Sequence, residues 1–177
     1  VQHLYEQHGK YLGLTLIAGA QGLSRRIKRA EVHRPGLSLT GYLKGYVPAR
    51  LLVMGKQEME FLRELEPKVR MARLSAILTS ATPAVIVARG FVPPKELIAL
   101  CEKLCIPLFR ATSTATHLLS QITFLLLEEF CPTVTLHGTL VEVFGVGVLI
   151  QGDSSVGKSE AALGLIERGH RLVSDDV

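Results

Sequence analysis

Residues 152–159 have the sequence Gly-Asp-Ser-Ser-Val-Gly-Lys-Ser, whose types and spacing suit the binding of nucleotide phosphates. They match the pattern G-x-x-x-x-G-K-[ST], in which glycines let the backbone curl so that its N–H groups point at phosphate oxygens. We expect Lys158 to bring a positive charge to the terminal phosphates and Ser159 to offer a hydroxyl to Mg²⁺. The pattern predicts these nucleotide-binding residues: Gly152, Asp153, Ser154, Ser155, Val156, Gly157, Lys158 and Ser159.

The sequence on both sides of this loop predicts the elements that such a loop requires. VGVLIQ predicts a buried strand before it, and KSEAALGLIERG predicts a helix after it that is capped by Gly169. A helix that begins at the loop directs the positive end of its dipole at an anion. A glycine-rich turn without a ligand is the alternative, and the combination of strand, loop and helix favours the nucleotide site.

Two adjacent carboxylates follow the next short apolar strand. Leu172 and Val173 predict that strand, and Asp175 and Asp176 come directly after it. In proteins with this loop, a carboxylate near the phosphates commonly assists Mg²⁺ or the nucleophile. From spacing alone, a cap for a following helix or a solvated pair of acids stays open as the alternative.

The residues before the loop alternate predicted strands and helices. LTLIAG, RLLVMG, PAVIVARG and IPLFR predict strands, with amphipathic helical patterns between them. Continuous apolar strands are typical of parallel sheets that are covered on both faces. We therefore predict an α/β domain with a mainly parallel sheet over residues 1–130. From residue 131 the sequence is β-branched and glycine-punctuated, which predicts a second domain over residues 131–177.

Composition narrows the classes of protein. The chain has 177 residues, 47% of them hydrophobic, 20% charged, and a net charge of +4, which excludes global disorder. The apolar stretch ITFLLLEEF is too short to span a bilayer. Three cysteines without a zinc-site pattern or a signal peptide predict reduced thiols in the cytoplasm. The basic cluster at residues 25–29 lacks interleaved aromatics, so we predict a solvated segment rather than a nucleic-acid site.

The chain resembles a known family over almost its whole length. LHGTLVEVFGVGVLIQGDSSVGKSEAALGLIERGHRLVSDDV resembles the start of the catalytic domain of bacterial HPr kinase/phosphorylase. GLSRRI, RPGLSLTGY, MGKQEMEFL and IPLFRATSTAT resemble the amino-terminal α/β domain of that family. The resemblance implies that residues 131–177 hold the first strands and the P-loop of a P-loop-containing kinase domain. We expect residues 1–177 alone to be inactive.

The resemblance also implies a function. The family phosphorylates a serine of HPr, the phosphocarrier protein of the sugar phosphotransferase system, with ATP or pyrophosphate. It also removes that phosphate by attack of inorganic phosphate, and so regulates carbohydrate metabolism. A cytoplasmic homohexamer that uses Mg²⁺, with no nucleic-acid or membrane partner, is implied with it. A non-catalytic nucleotide-sensing module is the alternative function.

Roles for individual residues follow from the same resemblance. Asp176 is implied as the general base of the kinase reaction and the general acid of the reverse reaction. Asp175 and Glu160 are implied as supports of the metal or of the base, beside Ser159 as the metal ligand. His137 is implied as an active-site residue, and an ordinary histidine at a strand end is its alternative.

Ser155 departs from the family, whose loops usually have glycine at this position. If the backbone there adopts a positive φ, serine costs about 1 kcal/mol relative to glycine. We expect nucleotide binding to survive, because Gly152 and Gly157 are present. Serine at this position is expected to change the mobility of the loop, and with it the balance between the kinase and phosphorylase activities.

Overall fold

The computed structural model of the chain describes residues 1–132, 134–153 and 155–175. The chain divides into two compact units, Val1–Cys131 and Pro132–Val177, called here the first and the second unit. The predicted site residues Ser154 and Asp176 lie outside the described residues. No helix among the described residues is long and apolar enough to cross a membrane.

The first unit alternates helices and strands as its sequence predicts. Its elements in chain order are α1 (Gln2–His8), β1 (Leu14–Ala18), β2 (Val32–His33), α2 (Gly36–Leu39), β3 (Leu51–Met54), α3 (Lys56–Glu64), α4 (Pro67–Ile77), β4 (Val85–Val87), α5 (Lys95–Lys103), β5 (Leu108–Ala111) and α6 (Ala115–Phe130).

A five-stranded sheet in the order β1-β5-β4-β3-β2 forms the centre of this unit. Strands β2 to β5 are parallel to their neighbours, and only β1 pairs antiparallel, with β5. The helices between parallel strands return the chain across the sheet, as a parallel sheet requires. The predicted α/β fold with a mainly parallel sheet is confirmed.

The core of the first unit has two layers, one on each face of the sheet. Along β3, Leu52 and Met54 pack with helices α2 to α5, whereas Leu51 and Val53 pack with α1 and α6. This division follows from the period-2 alternation of side chains in a strand. Because both faces are covered, every residue of β3 is buried, and the strand is continuously apolar.

Two helices of this unit have weak sequence signals. RPGLSL, whose Pro-Gly pair is typical of a turn, forms the one-turn helix α2, with Pro35 at its N-cap. Helix α4 has no clear pattern in the sequence: Pro67 occupies its first turn, and only Leu74 and Ile77 are buried. A helix that buries so few positions shows little apolar periodicity, because most of its surface faces water.

The second unit is a three-stranded antiparallel sheet in the order β7-β6-β8, with one helix. Its elements are β6 (Thr139–Val143), β7 (Val146–Ile150), α7 (Lys158–Glu167) and β8 (Arg171–Ser174). The predicted burial of β7 is wrong, since four of its five residues are exposed. The physical reason is that β7 is an edge strand, while α7 packs against the central strand β6.

Arg25 in the first unit is a structural residue, and the prediction of a solvated basic segment is wrong for it. Its guanidinium donates hydrogen bonds to the carbonyls of Cys105 (2.6 Å), Leu104 (2.6 Å), Ser80 (2.7 Å) and Thr82 (2.9 Å). These carbonyls follow α4 and α5, so one side chain joins two loops near the ends of helices. A cation there also interacts favourably with helix C-termini.

We expect Arg25→Ala to destabilise the chain by about 2–3 kcal/mol, because four carbonyls, two of them in partly buried hydrogen bonds, lose charged donors at once. Urea unfolding followed by circular dichroism measures this change. Arg26→Ala is the matched control: Arg26 is exposed and has no side-chain hydrogen bond within the described ranges. Its substitution is expected to change the free energy of unfolding by less than about 0.5 kcal/mol. Equal effects of the two substitutions would contradict the structural role of Arg25.

Candidate nucleotide-binding site

The predicted strand, loop and helix are present around residues 152–159. Strand β7 ends at Ile150 and α7 begins at Lys158. Gly157 is the N-cap of α7 with φ +89°, a backbone conformation that favours glycine. A Cβ on Gly152 would lie 2.9 Å from Cγ2 of Val156, so a larger residue there would force that side chain to move. Steric constraints therefore favour glycine at both positions of the pattern.

Ser155 has the positive φ on which its expected cost depends. Its φ is +71°, in the left-handed region that non-glycine residues rarely occupy. The cost of this conformation for an L-residue is about 1–2 kcal/mol. The loop thus carries backbone strain at Ser155, the position where the resemblance implies a glycine.

The Lys158 ammonium group lies over the loop. Nζ donates hydrogen bonds to the carbonyls of Gly152 at 2.7 Å and of Asp153 at 3.2 Å. Ser159 and Glu160 follow in the first turn of α7, and both are exposed. This places a cation, a hydroxyl and a carboxylate at the start of one helix, where the helix dipole also favours negative ligands.

An open concavity of about 550 Å³ lies over this helix start. It is lined by Ser155, Val156, Gly157, Lys158, Ser159 and Glu160. A larger concavity, of about 700 Å³, lies in the first unit between α1 and the end of α6. We assign the site to the smaller one, because it holds the backbone turn and the lysine that bind phosphate.

Strand β6 brings the other predicted residues to the same edge of the sheet. It pairs antiparallel with both β7 and β8, so its start meets the ends of both. His137 lies two residues before β6, and its carbonyl accepts a hydrogen bond from Nε2 of Gln151 at 3.4 Å. Asp175 follows directly after β8. The loop, His137 and Asp175 therefore lie at one edge.

Thr139 is a residue of this edge that the sequence analysis missed. Its hydroxyl donates a hydrogen bond of 2.8 Å to Oδ1 of Asp175, and its side chain is buried. A threonine in a β-branched strand is ordinary in sequence, because nothing near it along the chain shows what it will contact across the sheet. Only the pairing of β6 with β8 reveals the contact.

The oxygen donors of the site fit a magnesium ion that is bound together with a nucleotide. Nowhere in residues 1–132, 134–153 and 155–175 do three or more His, Cys, Asp or Glu side chains form a metal-binding group. Mg²⁺ needs no such group, because it keeps several waters and takes phosphate oxygens with one or two protein ligands. The Ser159 hydroxyl and the carboxylates of Glu160 and Asp175 are hard oxygen donors of the kind that it prefers.

Comparison with protein families covers both units. Residues 1–126 match the family described as HPr Serine kinase N terminus. Residues 128–177 match the family described as HPr Serine kinase C-terminal domain. The two matches follow one another along the chain in the order that their descriptions give.

The strain at Ser155 gives a test of the loop. If the bound nucleotide holds residue 155 in the left-handed conformation more strictly than the free loop does, Ser155→Gly is expected to bind a fluorescent ATP analogue about 2- to 5-fold more tightly, because glycine adopts that conformation without the Cβ penalty. Ser155→Ala keeps the penalty and loses only the hydroxyl, so its affinity is expected to match that of the unsubstituted chain. Weaker binding by both variants would show that the hydroxyl contacts the nucleotide and that strain is not the dominant effect.

Proposed function

The chain belongs to the HPr serine kinase family, and from this premise we propose that it acts as part of a bifunctional HPr kinase/phosphorylase. The forward reaction transfers a phosphoryl group from ATP or pyrophosphate to a serine of HPr. The reverse reaction removes it with inorganic phosphate. The observation that best supports this proposal is the position of Lys158 and its loop at the same sheet edge as Asp175.

Binding of the donor is assigned to the loop and α7. Backbone N–H groups of the loop and the Lys158 ammonium bind the phosphates, and the helix start contributes its dipole. To reach the phosphates, Nζ exchanges its hydrogen bonds to the carbonyls of Gly152 and Asp153 for bonds to phosphate oxygens. Phosphate carries full negative charge, so the new bonds are the stronger ones.

We assign the magnesium ion to Ser159, with Glu160 and Asp175 as supporting carboxylates. When bound, the ion neutralises charge on the phosphate oxygens. Glu160 lies in the first turn of α7 next to Ser159, and Asp175 lies at the end of β8. The hydroxyl is thus a direct ligand in this proposal, and the carboxylates complete the negative surroundings of the ion.

In the kinase direction, the serine oxygen of HPr attacks the terminal phosphorus of the donor. The new O–P bond forms, the bond to ADP or phosphate breaks, and the hydroxyl proton passes to the carboxylate of Asp176. A positioned base of this kind contributes about 10²- to 10⁴-fold in rate. His137 precedes the central strand at the same edge and is proposed to contact the reacting groups there.

In the phosphorylase direction, an oxygen of inorganic phosphate attacks the phosphorus of phosphoserine. The bond from phosphorus to the serine oxygen breaks, that oxygen receives the proton from Asp176, and pyrophosphate leaves. The same residue acts in both directions because the reverse path retraces the forward one. We further propose that the protein acts as a cytoplasmic homohexamer and that residues 1–177 alone are inactive.

Lys158→Ala in the full-length protein is expected to abolish both activities, because the lysine charge stabilises the transferring phosphoryl group in either direction. Transfer of labelled phosphate to HPr, and its release as pyrophosphate, measure the two activities. Arg168→Ala is the matched control, since Arg168 is the C-cap of α7 and its substitution removes a cation from the end of the helix opposite to Lys158. Normal rates for Lys158→Ala would show that the loop is not the catalytic site. Nucleotide binding by the unsubstituted protein without any transfer would favour the nucleotide-sensing module.

The two adjacent aspartates are distinguished by parallel substitutions. Asp176→Asn keeps the shape of the side chain but removes the base, so both rates are expected to fall by about 10²-fold or more while ATP affinity persists. Asp175→Asn is expected to act through the metal and to be partly rescued by excess Mg²⁺. Rates and nucleotide affinities are measured for both variants in both directions. If Asp176→Asn loses affinity but turns over normally at saturation, Asp176 is a binding residue and its assigned role is wrong.

A further inference from the structure

We propose that Thr139 is a positioning residue that holds the Asp175 carboxylate at the sheet edge beside the nucleotide loop. The hydrogen bond of 2.8 Å from its hydroxyl to Oδ1 is the contact that carries this inference. It rests on the proposed function only for the chemistry that Asp175 performs. The placement of Asp175 by Thr139 stands on the structure of the sheet.

A shift of register in β8 creates the contact. Val141 of β6 lies opposite Leu172, but the next residue, Leu140, lies opposite Ser174, so Val173 is an extra residue in β8. With a regular register Thr139 would lie opposite Ser174. The extra residue moves Asp175 into that place instead. Bulges of this kind re-aim side chains next to functional sites.

The burial of β6 shows which face of the sheet the contact occupies. Thr139 and Val141 are 2% and 0% exposed, whereas Leu140 and Glu142 between them are less buried. Side chains two apart share a face of a strand, and α7 is the helix that packs against β6. The Thr139 hydroxyl therefore lies on the face covered by the helix that begins at the nucleotide loop.

A buried hydroxyl and an exposed carboxylate make an asymmetric pair. Thr139 has a fixed position in the packed strand, and its β-branch restricts χ1, so the donor costs little entropy to orient. Asp175 is exposed and follows the last residue of β8, where a side chain has rotamer freedom to lose. The bond is also charge-assisted, which makes it stronger than one between neutral groups. Thr139 is thus the anchor, and Asp175 is the group that it orients.

Orientation of this kind affects metal binding. Asp175 is one of the carboxylates assigned above to support the metal, and loss of a hydrogen bond that orients a carboxylate at a metal site typically costs about 10- to 100-fold in metal affinity or activity. Removal of the Thr139 hydroxyl is therefore expected to weaken the metal-dependent properties of the site. Properties that depend on the loop alone, such as metal-free nucleotide binding, are expected to remain.

The test compares Thr139→Val, which keeps the shape and removes the hydroxyl, with Thr139→Ser, which keeps the hydroxyl. In the full-length protein, Mn²⁺ affinity in the presence of ADP is measured by electron paramagnetic resonance. ADP affinity in EDTA, kcat, KM for HPr and the melting temperature are measured beside it. We expect Thr139→Val to lose about 10-fold in Mn²⁺ affinity and in kcat, with the other quantities unchanged. Thr139→Ser is expected to stay within about 3-fold of the unsubstituted protein.

A double-substitution cycle separates positioning from packing. If Thr139 acts through Asp175, Thr139→Val has no further effect on Mn²⁺ affinity in an Asp175→Asn background. Full additivity of the two losses would overturn the proposal, as would unchanged Mn²⁺ affinity in Thr139→Val. Equal damage by Val and Ser with a lowered melting temperature would also overturn it, by assigning Thr139 to packing. If the unsubstituted protein transfers no phosphate to HPr, the proposed function fails, and the Mn²⁺ measurements still decide the role of Thr139.

Discussion

Strand β6 hydrogen-bonds to β7 on one side and to β8 on the other, both antiparallel. This double pairing forces β7 and β8 to run in the same direction, although no hydrogen bond joins them in the described sheet. The loop after β7 and the carboxylate after β8 consequently emerge at one edge, on either side of the start of β6. A slip of one residue in either pairing would turn the side chains of that strand to the other face. The chemistry proposed for the site depends on this register, because the register brings the loop and the carboxylate to one edge.

Much of the first unit could be predicted from its sequence, because its strands are buried on both faces and its helices carry clear apolar periodicity. The buried run at β3 is an example. Helix α4 could not be predicted, since it buries few residues. The role of Arg25 was equally hidden, because its carbonyl partners lie about 55–80 residues away along the chain.

The residues of the site also fall into two groups: some follow from a local sequence pattern, and others are recognised only from contacts that are distant along the chain. The glycines, Lys158 and Ser159 follow from a contiguous pattern, and the positive φ of Ser155 meets a condition stated from the sequence. Thr139 has no local signal, because its significance comes from Asp175, 36 residues away along the chain, which the bulge in β8 brings opposite it. The exposure of β7 was mispredicted for a related reason: an apolar run shows that a strand tends to be covered, but not which layer covers it.

Ser155 and Lys158 together suggest how the loop changes when it binds a phosphate. The ammonium of Lys158 donates hydrogen bonds to the carbonyls of Gly152 and Asp153, which hold its charge above the loop. Phosphate must displace these carbonyls, and the loop must then keep its N–H groups aimed at the ligand. Strain at Ser155 opposes any state in which the left-handed conformation is enforced. If binding enforces that conformation more strictly than the free loop does, the strain reduces affinity and speeds release of the nucleotide. The reaction proposed above runs in both directions, and for an enzyme of that kind faster release is an advantage, since tight retention of one product would block the opposite reaction.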